Sequence, residues 1–245
     1  MYKKILVISD NVLLCKEFDL LLEEVDREIE VTFSISPFSS LKDFELNLKS
    51  LVKIYNLKEE NVLDELISNY DLIFSIHCKQ LFPSRLVNNV KCINVHPGYN
   101  PINRGWYPQV FSIINDTPIG ATIHEIDEML DHGPIIARSL VDKTSCDTSL
   151  SLYNKVVSKE IELLKENINS IINNEYLTFI PKEKGNLYLK KDFNNLCKLN
   201  LNEELTLAEF INKLRGLTHG DYKNAYFIDV ETNKRVYVNL ALESE

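Results

Sequence analysis

The first hundred residues alternate short apolar runs with longer stretches whose apolar side chains recur at helical spacing. The apolar runs have the length of buried strands and lie at residues 4–9, 31–36, 71–77 and 91–96. The stretches with helical spacing lie at residues 12–25, 41–51 and 61–70. Strands that alternate with helices predict an α/β fold with a Rossmann-like, doubly wound, mostly parallel sheet.

The remaining residues continue this pattern and then become more polar. They predict, in order, a short helix, two strands and a long amphipathic helix at residues 108–115, 119–126, 134–140 and 148–174. Residues 181–186 are polar and rich in turn formers, so we predict a linker between a large domain at residues 1–180 and a small C-terminal unit at residues 181–245. The C-terminal unit is predicted to contain a helix and a hairpin, at residues 206–217, 223–229 and 236–242.

Composition and charge exclude several classes of protein. Hydrophobic residues make up 44% of the 245 residues and charged residues 26%, which is typical of a globular chain. A formal net charge of −9 gives no basic surface for nucleic acid. No apolar stretch approaches the roughly 20 residues that span a membrane. The 5 cysteines are dispersed without a C-x-x-C pair, so we expect no disulfide framework, no bound metal and a cytoplasmic location.

Two polar side chains close the strand predicted at residues 91–96. Asn94 and His96 are two positions apart, so they point to the same face, at the sheet edge where open parallel sheets bind ligands. An imidazole accepts a proton near neutral pH, and an amide donates a hydrogen bond to an oxygen that becomes negative in acyl transfer. The spacing alone is equally compatible with side chains that only hold the following turn.

A second element, Asp131-His132-Gly133, places a carboxylate just before a glycine turn and a predicted strand. With Asn94-x-His96 it resembles the signature of the formyltransferases that use 10-formyltetrahydrofolate, over residues 4–140. The resemblance implies that Asn94, His96 and Asp131 are catalytic. Asn94 would stabilise an oxyanion, His96 would accept the proton of the attacking amine, and Asp131 would support His96. His124 and His132 are interpreted as hydrogen-bonded packing side chains.

The same resemblance implies a folate site beside the strand that ends at His77. The residues concerned are Cys78, Lys79 and Gln80, whose backbone groups would hold the pterin, and Phe82, which would belong to an apolar wall. An ordinary strand-to-helix turn is the alternative. The first predicted strand ends without the glycine fingerprint G-x-G-x-x-G, so a nicotinamide cofactor is disfavoured.

Two further segments resemble the branch of the family that formylates dTDP-linked amino-dideoxy sugars in surface polysaccharide (O-antigen) synthesis. The first is the loop at residues 99–109, and the second is the segment at residues 214–227. The resemblance implies that they contact the sugar nucleotide through Tyr99, Asn103, Arg104, Trp106, Tyr107, Arg215, Tyr222, Lys223 and Asn224. The implied acceptor is dTDP-4-amino-4,6-dideoxyglucose, with the 3-amino isomer as the alternative.

Several readings stay open at this point. Arg104 meets a phosphate or holds the loop, Trp106 and Tyr107 line the sugar pocket or pack, and residues 214–227 bind nucleotide or form a helix cap and hairpin entry. Formylation of glycinamide ribonucleotide or methionyl-tRNA, a deformylase and a non-catalytic nucleotide-sugar module are the competing functions. The last predicted strand alternates apolar side chains, which favours pairing across a homodimer, at Val236, Val238, Leu240 and Leu242.

Overall fold

The computed structural model describes residues 1–25, 28–48 and 52–243. Its strands in chain order are β1 (Lys4–Ser9), β2 (Glu30–Ile35), β3 (Val52–Ile54), β4 (Leu72–Ile76), β5 (Lys91–His96), β6 (Arg104–Gly105), β7 (Gly120–Glu125), β8 (Ile135–Leu140), β9 (Leu187–Tyr188), β10 (Tyr226–Ile228) and β11 (Arg235–Tyr237). Its helices are α1 (Val12–Glu23), α2 (Leu41–Glu45), α3 (Glu60–Asn69), α4 (Ser84–Val87), α5 (Pro108–Ile114), α6 (Ser149–Ile172), α7 (Lys190–Cys197) and α8 (Leu207–Leu217).

Seven of the described strands form one sheet in the order β3-β2-β1-β4-β5-β7-β8. The pairs from β3 to β5 are parallel, whereas β5–β7 and β7–β8 are antiparallel. The predicted α/β fold with a mostly parallel sheet is therefore confirmed. The antiparallel end has one consequence for the site, because it sets His124 of β7 directly opposite Asn94 of β5.

The central strands carry apolar side chains on both faces because helices cover both faces of the sheet. Along β1, Ile5 and Val7 pack with α1 and α6, while Leu6 and Ile8 pack with α3 on the other face. The longest helix, α6, begins after Thr148, whose side chain accepts from the Ser151 backbone N–H in a capping box.

Some local elements differ from the sequence prediction. The helix predicted for residues 41–51 ends at Glu45, and residues 49–51 lie outside the described residues. Edge strand β3 was not predicted, since three residues show too little alternation to identify a strand. The hairpin strands β10 and β11 are shorter than predicted, with three residues each.

The C-terminal unit packs on the large domain through α8 and α5. Their contact is apolar and includes Val110, Phe111, Leu214 and Leu217. The segment predicted as a linker also touches the large domain, since a Cβ at Gly185 would lie 1.6 Å from the Pro101 carbonyl oxygen. Just beyond it, β9 pairs in parallel with β6. The domain boundary at residue 180 stays a prediction.

Among the helices of the described residues, none combines the length and apolar composition needed to cross a bilayer. The same ranges hold no group of three or more His, Cys, Asp and Glu side chains that is placed to bind a metal ion.

Candidate active site

A cavity of about 800 Å³ opens beyond the carboxyl ends of β1, β4 and β5. This is the edge at which open α/β sheets bind ligands. Its walls come from the end of β1, the loop after β4, the aromatic loop at residues 105–109 and the loop at residues 126–131. Asn94, His96 and Asp131 all line it. The structure therefore brings the three proposed catalytic residues together.

Asp131 lies between the other two side chains. Asn94 Nδ2 donates to Asp131 Oδ1 at 3.0 Å, and His96 Nδ1 lies 3.5 Å from Asp131 Oδ2. The backbone N–H of Gly105 donates to Oδ2 at 3.0 Å. Asp131 adopts φ of +47°, in the left-handed region, and its carbonyl oxygen accepts from Asn100 Nδ2 at 2.9 Å. Hydrogen bonds thus hold both the carboxylate and the backbone carbonyl group of Asp131.

The electrostatics make His96 neutral and Asp131 negatively charged at neutral pH. Burial disfavours a charged imidazole and lowers the pKa of His96 to about 4, although the Asp131 charge opposes this. Burial would raise the pKa of Asp131, but the charge that His96 carries when protonated, the proximity of His124 and the hydrogen bond from the Gly105 N–H outweigh it, and the pKa falls to about 2. At pH 7 a neutral imidazole therefore faces a carboxylate.

The His96 imidazole is arranged to accept a proton. Its Nδ1 faces the Asp131 carboxylate, so the ring proton resides on that nitrogen and leaves Nε2 with a lone pair. Nε2 has no hydrogen-bond partner within the described residues. A Cβ at Gly98 would lie 2.5 Å from Nε2, so only glycine leaves room for the ring at that position.

His124 completes the polar cluster, although its sequence context indicated only a packing role. Its Nδ1 lies 2.7 Å from the Glu125 carbonyl oxygen, which requires the proton on Nδ1. The other nitrogen, Nε2, then accepts from Asn94 Nδ2 at 3.2 Å. Both N–H groups of the Asn94 amide consequently have protein acceptors, His124 and Asp131.

A second polar chain lines the cavity next to α1 and α6. Asn11 Nδ2 donates to Tyr153 Oη at 2.9 Å, and Tyr153 Oη lies 3.3 Å from His77 Nδ1. His77 Nε2 is 2.9 Å from both oxygens of Glu160, which is fully buried. Burial raises the pKa of Glu160, and His77 acts in the opposite direction. His132, by contrast, is half-exposed and pairs with Asp127 at 2.7 Å.

The proposed folate residues Cys78, Lys79, Gln80 and Phe82 all line the cavity. Two anchors fix their loop: Lys79 N donates to Asp10 Oδ2 at 2.6 Å, and the Gln80 side chain bonds the backbone of residues 55 and 57. The Gln80 side chain is therefore engaged, while the neighbouring apolar groups face the cavity. Burial raises the pKa of the Cys78 thiol to about 12, so this thiol is not a nucleophile at neutral pH.

Only some side chains of the predicted sugar-binding loop line the cavity. Trp106 and Tyr107 line the cavity, and Tyr107 also packs on Phe193 with ring centroids 4.1 Å apart. Asn103 is fully buried, and its side chain donates to Thr117 Oγ1 at 2.6 Å.

Two other side chains of this loop do not line the cavity. The Tyr99 ring lies 4.4 Å from the guanidinium carbon of Arg138. Arg104 is close enough for its charge to lower the pKa of His96, and its buried Nε has no partner among the described residues.

The C-terminal candidates do not reach the cavity. Arg215 is buried, and its guanidinium donates to the carbonyl oxygens of Asp147 at 2.9 Å and Thr144 at 2.5 Å. Asn224 Nδ2 donates to the Leu217 carbonyl oxygen at 3.0 Å. Lys223 lies over the ring of Tyr237, and Tyr222 is exposed beside His219. These contacts hold the end of α8 and the hairpin.

Sequence reasoning missed several residues of the cavity wall. They are Asn11, His77, His124, Tyr153 and Leu189. A polar side chain at a strand end was the available signal for His77. Nothing in the local sequence pairs Tyr153 of α6 or Leu189 of the C-terminal unit with this cavity, because only the tertiary fold brings them there.

Comparisons with known proteins agree with this site. Residues 44–168 match the Formyl transferase family, and residues 192–244 match the N-formyltransferase dimerization C-terminal domain. The chain belongs to the formyl transferase family, and within it to the sugar N-formyltransferases. The resemblance inferred from Asn94-x-His96 and Asp131-x-Gly133 is confirmed.

Individual relatives show which sugar N-formyltransferases the chain is similar to. The chain is 50% identical over 181 residues to the dTDP-4-amino-4,6-dideoxyglucose formyltransferase of Mycobacterium tuberculosis, covering 74% of this chain and 77% of the relative. A 4-N formyltransferase from Francisella tularensis superposes with a TM-score of 0.93 at 43% identity, covering 99% of both chains. A sugar N-formyltransferase from Shewanella has the same TM-score and coverage at 39% identity.

Proposed function

We propose that this enzyme transfers the formyl group of 10-formyltetrahydrofolate to the amine of dTDP-4-amino-4,6-dideoxyglucose. The observation that carries the proposal is the cluster of Asn94, His96 and Asp131 at the cavity, with a neutral imidazole held against a carboxylate. Acyl transfer to an amine needs a proton acceptor and a donor to the developing oxyanion, and this cluster contains both.

We propose a separate role in the reaction for each residue of the cluster. The amine nitrogen of the sugar attacks the formyl carbon, and the formyl oxygen takes up negative charge. His96 Nε2 accepts the amine proton, and the charge of Asp131, 3.5 Å from Nδ1, stabilises the imidazolium that forms. The carbon–nitrogen bond to the folate then breaks, and the proton held by His96 is available to the departing nitrogen.

Asn94 must change partner in order to stabilise the oxyanion. One of its N–H groups is held by Asp131 Oδ1 at 3.0 Å, and the other is held by His124 Nε2 at 3.2 Å. The contact with His124 is longer and involves no formal charge, so it is the weaker of the two. We infer that the substrate oxygen replaces His124 as the acceptor, while Asp131 keeps the amide oriented.

The cavity suits a folate as formyl donor. Its volume of about 800 Å³ lies in the range of small-molecule sites. Apolar residues from two different loops line it, namely Leu81 and Phe82 from one loop and Met129 and Leu130 from the other. Apolar walls of this kind suit a flat bicyclic ring. We propose that backbone groups of residues 78–80 bind the ring's polar edge, apart from the N–H groups of Lys79 and Gln80, which Asp10 and Cys78 already hold.

The acceptor rests on the relatives. The Mycobacterium tuberculosis enzyme, at 50% identity, is named for dTDP-4-amino-4,6-dideoxyglucose, and the Francisella tularensis structure is of a 4-N formyltransferase. Trp106 and Tyr107 provide an aromatic surface for the sugar on the wall of the cavity. The 3-amino isomer is the alternative acceptor. We also propose that the product is used in surface polysaccharide (O-antigen) synthesis, as the resemblance of residues 99–109 and 214–227 implies.

Mass spectrometry of complete reactions tests this function. Purified enzyme is incubated with 10-formyltetrahydrofolate and, in separate reactions, with the 4-amino sugar nucleotide, its 3-amino isomer and glycinamide ribonucleotide. We expect one formyl group to be added to the 4-amino sugar. Formyl transfer only to another acceptor, or release of free formate without any formylated amine, contradicts the proposal. A His96→Gln variant controls for uncatalysed transfer.

We also propose that the enzyme works as a homodimer in the cytoplasm. The match of residues 192–244 to a dimerization domain supports the dimer, as do the exposed side chains of Val236 and Tyr237 on β11. All 5 cysteines are free thiols, which suits a reducing compartment.

A further inference from the structure

The aromatic loop is tied by backbone hydrogen bonds to a segment from much later in the chain. β6 runs parallel to β9. Arg104 N donates to the Asn186 carbonyl oxygen at 3.0 Å, and Trp106 N donates to the Tyr188 carbonyl oxygen at 2.9 Å. The peptide groups that carry the N–H of Arg104 and the N–H of Trp106 are therefore both fixed by hydrogen bonds. The peptide group between them carries the Gly105 N–H, which has little freedom to rotate.

The Gly105 N–H is directed at the catalytic cluster. It donates to Asp131 Oδ2 at 3.0 Å, and the same oxygen lies 3.5 Å from His96 Nδ1. One carboxylate oxygen thus faces both a fixed peptide donor and the imidazole. A shift of this peptide would displace the oxygen that determines which ring nitrogen of His96 carries the proton.

Gly105 is the residue type that this geometry requires. Its φ of +91° is a conformation that side-chain-bearing residues rarely adopt. A Cβ built at this position would lie 2.2 Å from the Tyr188 carbonyl oxygen. Any larger residue would therefore push β6 away from β9 and move the N–H away from Asp131.

β9 is itself anchored by side chains on both sides. The Tyr188 ring stacks flat on Phe111, with centroids 3.6 Å apart and an interplanar angle of 3°. The Asn186 side chain accepts from Asn103 N at 2.7 Å and donates to Asn103 Oδ1 at 3.0 Å. These contacts give the segment a defined position against the aromatic loop.

We propose that β9 and Asn186 are positioning elements of the catalytic centre: they hold the Gly105 N–H against Asp131, and Asp131 then keeps the His96 proton on Nδ1. The catalytic meaning of this arrangement rests on the proposed function. The inference goes beyond that function because residues 186–188 fall between the two family matches, at 44–168 and 192–244. The C-terminal unit would then complete the active site in addition to any part in dimerization.

The test compares three variants by kinetics, thermal melting and ¹⁵N NMR of labelled histidines. Asn186→Ala weakens the anchor, Gly105→Ala wedges the two strands apart, and Asn202→Ala is an exposed control in the same unit. We expect kcat to fall about tenfold in Asn186→Ala and about 100-fold in Gly105→Ala, with KM within about twofold, because misorientation affects the reacting atoms more than binding. The control should match the wild type.

The NMR spectra distinguish a positioning role from a purely structural one, because a purely structural role of Asn186 would leave the His96 tautomer unchanged. The His96 signals, assigned by their loss in His96→Gln, should show the Nδ1–H tautomer in the wild type and a mixture of tautomers in Asn186→Ala. An Nε2–H tautomer in the wild type overturns the inference. So does an Asn186→Ala protein with unchanged tautomer and kcat, or one whose activity falls only in proportion to its folded fraction.

This experiment can contradict the positioning role without contradicting the proposed formyl transfer, and the reverse. The tautomer measurement needs no substrate, so it decides the positioning role even if the wild type transfers no formyl group. Should Gly105→Ala fail to fold, Asn186→Ala alone decides the result, because that variant removes only side-chain hydrogen bonds and leaves the backbone pairing of β6 with β9 possible.

Discussion

Asn94 and His124 lie directly opposite each other on antiparallel strands, and the Asn94 amide nitrogen is 3.2 Å from His124 Nε2. The same nitrogen donates to Asp131 at 3.0 Å. The amide is thus oriented before any substrate arrives, and the weaker of its two contacts is the one that an oxyanion can replace. Such preorganisation is typical of groups that act in a transition state.

Replacing Asn94 should therefore affect the rate and not substrate binding. In Asn94→Ala the oxyanion loses a donor that the ground-state formyl oxygen does not need, so kcat should fall by roughly 100-fold or more. KM for both substrates should change little, and Asn202→Ala serves as the matched control. Steady-state kinetics check this. A raised KM with normal kcat would make Asn94 a binding residue.

The three catalytic candidates should act as one unit. His96→Ala removes the proton acceptor, and we expect it to lower kcat by roughly the same factor as Asn94→Ala. The double variant should then lose less activity than the product of the two single effects. Once one residue is replaced, the other can no longer make its full contribution to catalysis, so its loss costs less. Strict multiplication of the two losses would show that the residues act independently.

Asp131→Asn should reduce both the rate and the stability. The carboxylate accepts from Asn94 and Gly105, and an amide can accept only through its single oxygen, so one of these donors loses its partner. Leaving a buried donor unsatisfied costs about 1–3 kcal/mol. We expect kcat to fall by roughly 100-fold or more, since the imidazolium loses its counter-charge. Urea unfolding and single-turnover kinetics measure the two effects, and an unchanged rate would remove Asp131 from the mechanism.

The pKa of His96 predicts a specific loss of stability in mild acid. Burial lowers its folded-state pKa to about 4, whereas an unfolded histidine titrates near 6.5. Between these values the unfolded chain binds a proton that folded His96 does not. The contribution of His96 is therefore complete above about pH 6.5 and is lost as the pH falls towards 4, which amounts to about 2 kcal/mol between pH 7 and pH 5.

Urea denaturation at these two pH values, compared between the wild type and His96→Gln, isolates this contribution. Glutamine does not titrate, so the variant should lose about 2 kcal/mol less stability than the wild type between pH 7 and pH 5. Equal losses in the two proteins would show that the folded-state pKa of His96 is not depressed.

The buried Glu160 should make the protein sensitive to the loss of His77. His77 contacts both carboxylate oxygens, so His77→Leu leaves a fully buried carboxylate without this partner and should cost about 3–5 kcal/mol. Glu160→Gln keeps a hydrogen-bonding group and should cost only about 1 kcal/mol. The double variant His77→Leu/Glu160→Leu should regain much of the stability. Chemical denaturation measures all three, and a His77→Leu protein as stable as the wild type would contradict the prediction.

The dimer can be tested on β11. Val236 is partly exposed on the strand, whereas Val230 is almost fully exposed at the hairpin turn. Light scattering of the intact chain should show about twice its mass of 28.3 kDa. A charge at the predicted interface, Val236→Asp, or deletion of residues 234–245 should give monomeric or insoluble protein, while Val230→Asp should stay dimeric. A monomeric intact chain would refute the prediction.

Much of the fold could be predicted because burial on both faces leaves an unmistakable pattern. β1 and β4 are apolar except at Lys4, Ser9 and Ser75, and α6 carries an apolar stripe of more than five turns. The two-residue strands β6 and β9 have no such pattern. Their pairing depends on a contact between distant parts of the chain, so local sequence could not reveal it.

The site was predictable only where chemistry and strand periodicity coincide. Asn94 and His96 lie on one strand, and Asp131 was identified because Asp131-x-Gly133 resembles the second part of the family signature. His124 was predicted only to pack, because its partner Asn94 lies on a neighbouring antiparallel strand that local sequence does not reveal. Arg215 shows the converse problem: a charged residue in a promising segment proved to be buried, with its charge directed to backbone carbonyl groups.

The pairing of β6 with β9 also has a consequence for the order in which the protein matures. Chains fold from the N-terminal end as they leave the ribosome. All seven strands of the main sheet precede residue 141, so the sheet can assemble early. Gly105 meets its partner strand only after residues 187–188 have emerged. A nascent chain can therefore acquire its main sheet before its active-site loop is fixed, because residues 141–188 must follow before β6 can pair with β9.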